Sequence, residues 1–331
     1  MSVEVERLDD AGAWDALVAR ADETTPFHRR AALDVIAAHS DTDLHPLVGY
    51  VGEEPAGLFP VFERSVGPVS VAFSPPPNLK VPSLGPATFA DPAMKRRKRE
   101  RRHRRFVESA LSVVDDEIAP SFVTVRAGVG YDDPRPFVWN GFEPTPRFTY
   151  HVDLTPGQDS LLAETSSDLR SNLRKTDDDA FEIVDGGRPG MEQVVVNARR
   201  RHEEQGISYG VTPAFARDLS RAIPEAVTAK ICRVDGVFAG GTIVLSDDDT
   251  AYRWQSVADF DAPVPAGDLL DWHVIRDAID RGLETYDLVG ANNRRLCGYK
   301  SKFAPDVATH YRLQRSGRLM DAVANLYLRV R

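Results

Sequence analysis

Over residues 286–305 the chain reads YDLVGANNRRLCGYKSKFAP, which brings an Asp, two Lys and two Tyr into one short stretch. The apolar start predicts a buried strand over 286–289 that ends at Gly290. A polar turn over 291–295 follows, then Tyr299 next to Lys300, and Lys302 beside Phe303. A strand end that delivers Asn, Arg and Lys to one place can present donors to an anionic ligand or to a developing negative charge. The same composition fits a solvated basic turn, and spacing alone does not separate the two readings.

Other residues could serve such a site. Arg170 and Arg174 are four apart on an expected helix and share a face, which suits clamping a phosphate; they could equally pair with Asp168 and Asp178 on a solvated surface. Tyr252 and Trp254 point to one side of an expected strand, either to line a groove or to join the core. Gly267 lies at the start of an expected helix, where bare N–H groups can bind pyrophosphate, but Asp259, Asp261 and Asp268 would oppose an anion there. His273 and His310 have no partner pattern and read as structural or surface residues. No Gly-x-Ser-x-Gly elbow occurs, and neither Cys232 nor Cys297 has a His partner in sequence. No spacing suggests a metal site.

The strongest local charge feature is KRRKRERRHRR at 95–105. On a helix it would place basic residues on nearly every face, as a polyanion-binding surface or as arginines paired with acidic neighbours. The chain as a whole is acidic, with 50 Asp and Glu against 41 Lys and Arg and a net charge of −9. Its acids are mostly Asp, in runs such as 177–179 and 247–249, and Arg replaces Lys. Such surfaces stay soluble at high salt, so a halophilic source is expected. With 42% hydrophobic and 27% charged residues, the 331-residue chain reads as a globular protein long enough for two cores. The N-terminus has neither a basic nor an apolar leader region and no apolar run is long enough to span a bilayer, so a cytoplasmic protein without membrane insertion is expected.

The elements that must position these residues come twice in similar order. The first half predicts helices over 11–20 and 29–38, strands over 44–51, 56–62 and 69–73, a Pro-rich loop over 74–86, a helix over 92–114 and a strand over 122–126. The second half predicts helices over 160–175, 191–205 and 213–222, then strands over 229–234, 237–245 and 251–257. Asp235-Gly236 marks a hairpin turn, because glycine tolerates the positive φ such a turn needs. A helix over 268–281 with Asp268 as its cap and a strand over 285–289 complete the set. The fold class is α+β, with two domains over 1–147 and 148–331, each a mostly antiparallel mixed sheet flanked by helices.

Three segments carry a family resemblance. DLRSNLRK at 168–175, followed by FEIV at 181–184, resembles the Arg-x-x-x-Arg-Lys helix and strand of the Fem-type aminoacyltransferases and their GNAT relatives. AYRWQS at 251–256, then Pro265 and LLDW at 269–272, is similar to the family's aromatic strand and Leu-Leu-x-Trp helix. YDL at 286–288 with Gly290, then GYKSKF at 298–303, is similar to its Asp-x-Gly-Gly strand end and Phe-Lys-x-x-Phe-Gly motif. Tyr299 replaces the usual Phe, Ala304 the usual Gly, and Val289 the first Gly.

The resemblance implies tandem GNAT-like domains, and an enzyme that transfers an acyl or aminoacyl group to an amine. The donor would be acyl-CoA or aminoacyl-tRNA, and the partner an amine-bearing acceptor, with possible tRNA contact through 95–105. Because the amine is itself the nucleophile, direct attack needs no Ser or Cys intermediate. Lys300 would stabilise the oxyanion. Asp287 would orient Lys300 or take a proton from the amine, or only cap its turn. Tyr252, Trp254, Tyr299, Arg170 and Arg174 would bind substrate, and Gly267 would meet the donor's pyrophosphate. The alternative is a non-catalytic polyanion-binding protein on the same scaffold.

Overall fold

The structure is a computed structural model that describes residues 2–67, 69–89, 91 and 93–317. Its chain forms two compact units, one of residues 1–147 and 310–331, the other of residues 148–309. The division drawn from the sequence gave all of 148–331 to the second domain. In the structure the last strand instead runs back into the first unit, and residues 318–331 lie outside the described residues.

The first unit contains β1 (Glu4–Arg7), α1 (Ala11–Val18), α2 (Arg30–Ser40), β2 (Asp43–Val51), β3 (Glu54–Val66), β4 (Val69–Ser74), β5 (Ala87–Thr88), α3 (Arg96–Glu117), β6 (Phe122–Arg126) and α4 (Arg135–Trp139). The chain leaves this unit within β7 (Glu143–Asp153). Neighbouring strands pair antiparallel from β1 through β4, and β4 pairs parallel with β6. Helix α3 buries Phe106, Val107, Ala110, Leu111 and Val114 against Phe59, Val61, Val123 and Val125. Gly49 and Gly57 make room for the Phe106 ring, since a Cβ at either would lie 2.4 or 2.2 Å from it. Helix α3 was expected over 92–114. Pro92 lies outside the described residues, and the helix runs on to Glu117.

The second unit continues with α5 (Gln158–Glu164), α6 (Ser167–Lys175), β8 (Glu182–Asp185), α7 (Gly187–Glu204), α8 (Pro213–Ala222), β9 (Val227–Val234), β10 (Val237–Ser246), β11 (Thr250–Ala258), α9 (Ala266–Asp280), β12 (Thr285–Asp287), α10 (Arg294–Lys300) and β13 (Asp306–Ser316), along which the chain returns. The sheet order is β7-β12-β11-β10-β9-β8, antiparallel except for β11 with β12. Two adjacent glycines show that both faces are covered. A Cβ at Gly240 would lie 3.2 Å from Leu270 of α9, and one at Gly241 would lie 2.5 Å from Val194 of α7, so the two helices pack on opposite faces. Asp235 and Gly236 both have positive φ (51° and 75°) in the tight turn between β9 and β10, as the sequence predicts.

Three elements differ from expectation. The helix predicted over 160–175 breaks at Thr165–Ser166, where the Ser166 side chain accepts from Leu169 N and starts α6. Strand β12 stops at Asp287, because Val289 and Gly290 take positive φ (49° and 87°) that no strand continues. The segment after the polar turn is helix α10, capped by Asn293, whose side chain accepts from Arg295 N and Leu296 N.

Candidate active site

Asp287 is the last residue of β12 and is 7% exposed. Its Oδ1 accepts from Val289 N at 2.7 Å and from the Thr149 hydroxyl at 2.5 Å, while Gly290 N donates to the same hydroxyl at 2.9 Å. Together these bonds fold the chain back on itself at the strand end. The other oxygen of Asp287 lies 3.5 Å from His151 Nε2, and the imidazole is partly open to solvent. His151 and Asp287 stand directly opposite on antiparallel β7 and β12, so the pairing register itself brings the two together.

Lys300, at the end of α10, closes this turn from the other side. Its Nζ donates to Val289 O at 2.8 Å and Gly290 O at 2.7 Å, and only 4% of the residue is exposed. Burial, reinforced by the nearby Arg253 cation, pushes its pKa down to about 8, against the opposing pull of Asp271 and Asp287. An ammonium carries three N–H donors. Two of Lys300's three donors serve the carbonyls. The Val289–Gly290 peptide links the two groups: its carbonyl accepts from Lys300, its N–H donates to the Thr149 hydroxyl, and that hydroxyl donates to Asp287 beside His151.

Behind the turn lies a buried charge network. Asp271 of α9 has no exposed surface and accepts from Arg253 Nε at 2.6 Å, from the Tyr286 hydroxyl at 2.8 Å and from the Tyr299 hydroxyl at 2.6 Å. Burial and the Asp271 charge hold both phenols well above their ordinary pKa, so they stay protonated donors. Burial pulls the pKa of Arg253 down, but the Asp271 carboxylate together with the two phenols raises it on balance. Tyr299, expected as a substrate contact, is instead committed to this network.

Asp268 is not the cap of α9. It sits in the first helical turn, 3% exposed, and accepts from Lys302 Nζ at 2.9 Å and Asn172 Nδ2 at 2.6 Å. Its charge is therefore neutralised internally. Gly267 is close to the Tyr299 hydroxyl, 3.1 Å from where a Cβ would stand. Helix α9 thus starts against a tyrosine, with Asp259 and Asp261 exposed nearby in sequence.

The remaining expected site residues are not gathered at the turn in the same way. Tyr252 pairs in register with Asp287 and donates to Asp247 Oδ2 at 2.9 Å. Trp254 is the extra residue of a bulge in β11 and packs edge-on against Phe215 of α8, 5.7 Å between centroids. Arg170 folds back onto the carbonyls of Ala163 (2.9 Å) and Thr165, whereas Arg174 is exposed, so the two do not form a clamp. In the basic run of α3, Arg96 and Arg104 pair with Glu100 and Glu108, and Arg102 reaches the Pro55 carbonyl. Lys95, Arg97, Lys98 and Arg101 are exposed and, among the described residues, have no ion-pair partner.

Sequence reasoning missed His151, Thr149 and the Arg253–Asp271 pair. The alternation Thr149, His151 against Tyr150, Val152 was the available signal, since it reads as a half-buried strand. The partners of Arg253 and Asp271 come from separate elements and leave no spacing to read.

Residues 163–301 match the family model described as an Acetyltransferase (GNAT) domain. No curated protein matches the chain by sequence. Among solved structures, FemX aligns with a TM-score of 0.73 at 11% identity, covering 93% of this chain and 96% of that one. L-PGS from Bacillus licheniformis aligns at 0.60 and 12%, covering 98% of each chain. A tandem GNAT protein from the clavulanic acid biosynthesis pathway aligns at 0.53 and 16%, covering 95% and 98%. The second unit therefore matches the GNAT domain model, and the chain shares the α+β fold of FemX and of the tandem GNAT protein.

Proposed function

We propose that the protein is an N-acyltransferase whose centre is the turn at 287–290, and that the acceptor amine attacks the donor's acyl carbon directly. The observation that carries this reading is the Lys300 ammonium, held at the turn by two carbonyls and linked through the Val289–Gly290 peptide and the Thr149 hydroxyl to the Asp287–His151 pair. In this scheme the amine nitrogen forms the new C–N bond while the bond from the acyl carbon to the donor's sulfur or oxygen breaks. His151, oriented by Asp287, takes the proton that the amine loses, and the leaving group ends protonated. Lys300 offers its remaining N–H to the oxyanion. Tyr252, beside Asp287, faces the acceptor. Cys297 is not needed as a nucleophile.

The donor reading favours aminoacyl-tRNA over acyl-CoA. Tyr299 lies against Gly267, and exposed Asp259 and Asp261 precede the helix that would meet a CoA pyrophosphate. The free cations Lys95, Arg97, Lys98 and Arg101 offer α3 as a surface for RNA. Under the non-catalytic alternative Lys300 and Asp287 would serve only as a structural clasp of the turn.

The test is mass spectrometry of N-acylated amines after incubation with acetyl-CoA or with charged tRNA in parallel. Transfer from tRNA is expected, and it should weaken with rising salt. Changing the four free cations of α3 to Gln should slow transfer from tRNA and flatten that salt dependence, each lost phosphate contact removing about one unit of slope. Transfer from acetyl-CoA, with no effect of the four changes, would overturn the donor assignment. No product from either donor would overturn the enzyme reading.

A further inference from the structure

Arg126 and Arg312 stand directly opposite each other on antiparallel β6 and β13 of the first unit. Val123, Val125 and Leu313 turn into the core under α3, so alternation puts both arginines on the opposite face of the sheet. Directly opposed residues bring their Cβ atoms to about 4.5–5.5 Å, a spacing at which like charges destabilise a sheet. Arg147, on the part of β7 that belongs to this unit, adds a third positive charge close to both.

In a chain with more acids than bases, this group has no carboxylate partner among the described residues. Among the described residues Arg126 reaches the Pro76 carbonyl, at 3.4 Å. The Nε–H of Arg312 is shielded from solvent and meets no acceptor among the described residues. Burial, and then the neighbouring guanidinium groups, lower the pKa of Arg126 to about 10 and that of Arg312 as well, with no acid to offset them. A shielded donor without an acceptor is costly, and so are like charges directly opposed on neighbouring strands; an anion would offset both.

We propose that Arg126, Arg147 and Arg312 form a binding site for a phosphate group carried by a small-molecule ligand, on the face of the first unit's sheet opposite α3. Guanidinium forks match the oxygens of a phosphate, and three of them exceed what the two oxygens of a carboxylate can satisfy. The site lies in the first unit and binding needs no turnover, so the inference stands whether or not the transfer reading holds.

The experiment titrates inorganic pyrophosphate, and separately citrate, into the full chain labelled with 15N-arginine, at constant ionic strength held with chloride. The Nε–H resonance of Arg312, assigned by its loss in Arg312→Lys, should shift and saturate with pyrophosphate. Arg126→Gln should weaken that binding about tenfold or more, as expected for losing a hydrogen bond to a charged group. Arg64→Gln, on the surface of the same unit, should leave it unchanged. An Arg312 resonance that does not move with pyrophosphate would overturn the site, even if a variant failed to fold. Equal weakening by Arg64→Gln would do so too, and tighter binding of citrate would overturn the phosphate assignment.

Discussion

At the scale of single residues, Lys300 combines two roles that pull on its chemistry in opposite directions. Its ammonium ties the carbonyls of Val289 and Gly290, and burial lowers its pKa to about 8. The folded state therefore holds this proton less tightly than the unfolded state does. Between the folded and unfolded pKa values the unfolded chain binds more protons, so this group makes stability rise with pH in that window. Activity should move the other way, because the transfer scheme needs the charged form. We expect kcat/KM to fall as pH rises through about 8, following one ionisation. A profile still flat at about pH 10 would show that the ammonium is not required. The sequence pointed to Lys300 through its place after a glycine strand end, but it could not show that the side chain holds that strand end in shape. Two backbone acceptors in positive-φ residues are a product of the folded turn. His151 was illegible for a related reason: it meets Asp287 only through the register of two strands far apart in sequence.

At the scale of elements, α9 and α10 are held to the sheet by Asp271 as well as by apolar packing. One carboxylate with no solvent access joins Arg253 of β11, Tyr286 of β12 and Tyr299 of α10. Removing it leaves a largely buried guanidinium without its counter-charge, a change that costs about 3–5 kcal/mol. We expect Asp271→Ala to lose stability on that scale in urea unfolding, with Asp271→Asn milder because its amide oxygen can still accept. A loss below about 0.5 kcal/mol would mean that the network is not structural. Elements whose boundaries rest on local chemistry were readable in advance. The Asp235-Gly236 hairpin and the helix before β12 follow from turn residues and an apolar stripe. The break at Thr165–Ser166 and helix α10 were missed although Ser166 and Asn293 are local cap signals, because Ser and Asn are as common in turns as at caps and their type alone does not mark a helix start.

At the scale of the whole molecule, the repeated order of helices, antiparallel strands, helix and strand was legible from periodicity, and the tandem GNAT fold agrees with it. The return of β13 to the first unit was not, since a strand's partner is a nonlocal choice that its own residues do not encode. No helix among the described residues is long and apolar enough to cross a membrane. Charge is unevenly distributed: an acidic chain carries free cations on α3 and an unpaired arginine group on one sheet face. Both features lie in the first unit, whereas the turn at 287–290 lies in the second.

The central claim is that Lys300 and the His151–Asp287 pair perform the transfer. The most direct measurement is the single-turnover rate of N-acyl product formation by Lys300→Met and His151→Ala beside the parent protein, with circular dichroism to confirm that each is folded. Losing an oxyanion donor typically costs about 10²–10³ in rate, and losing a general base about 10²–10⁴. Lys300→Met should also melt earlier, because two carbonyls lose their donor. Folded variants that both retain the parent rate would contradict the account, and the turn would then be a structural clasp.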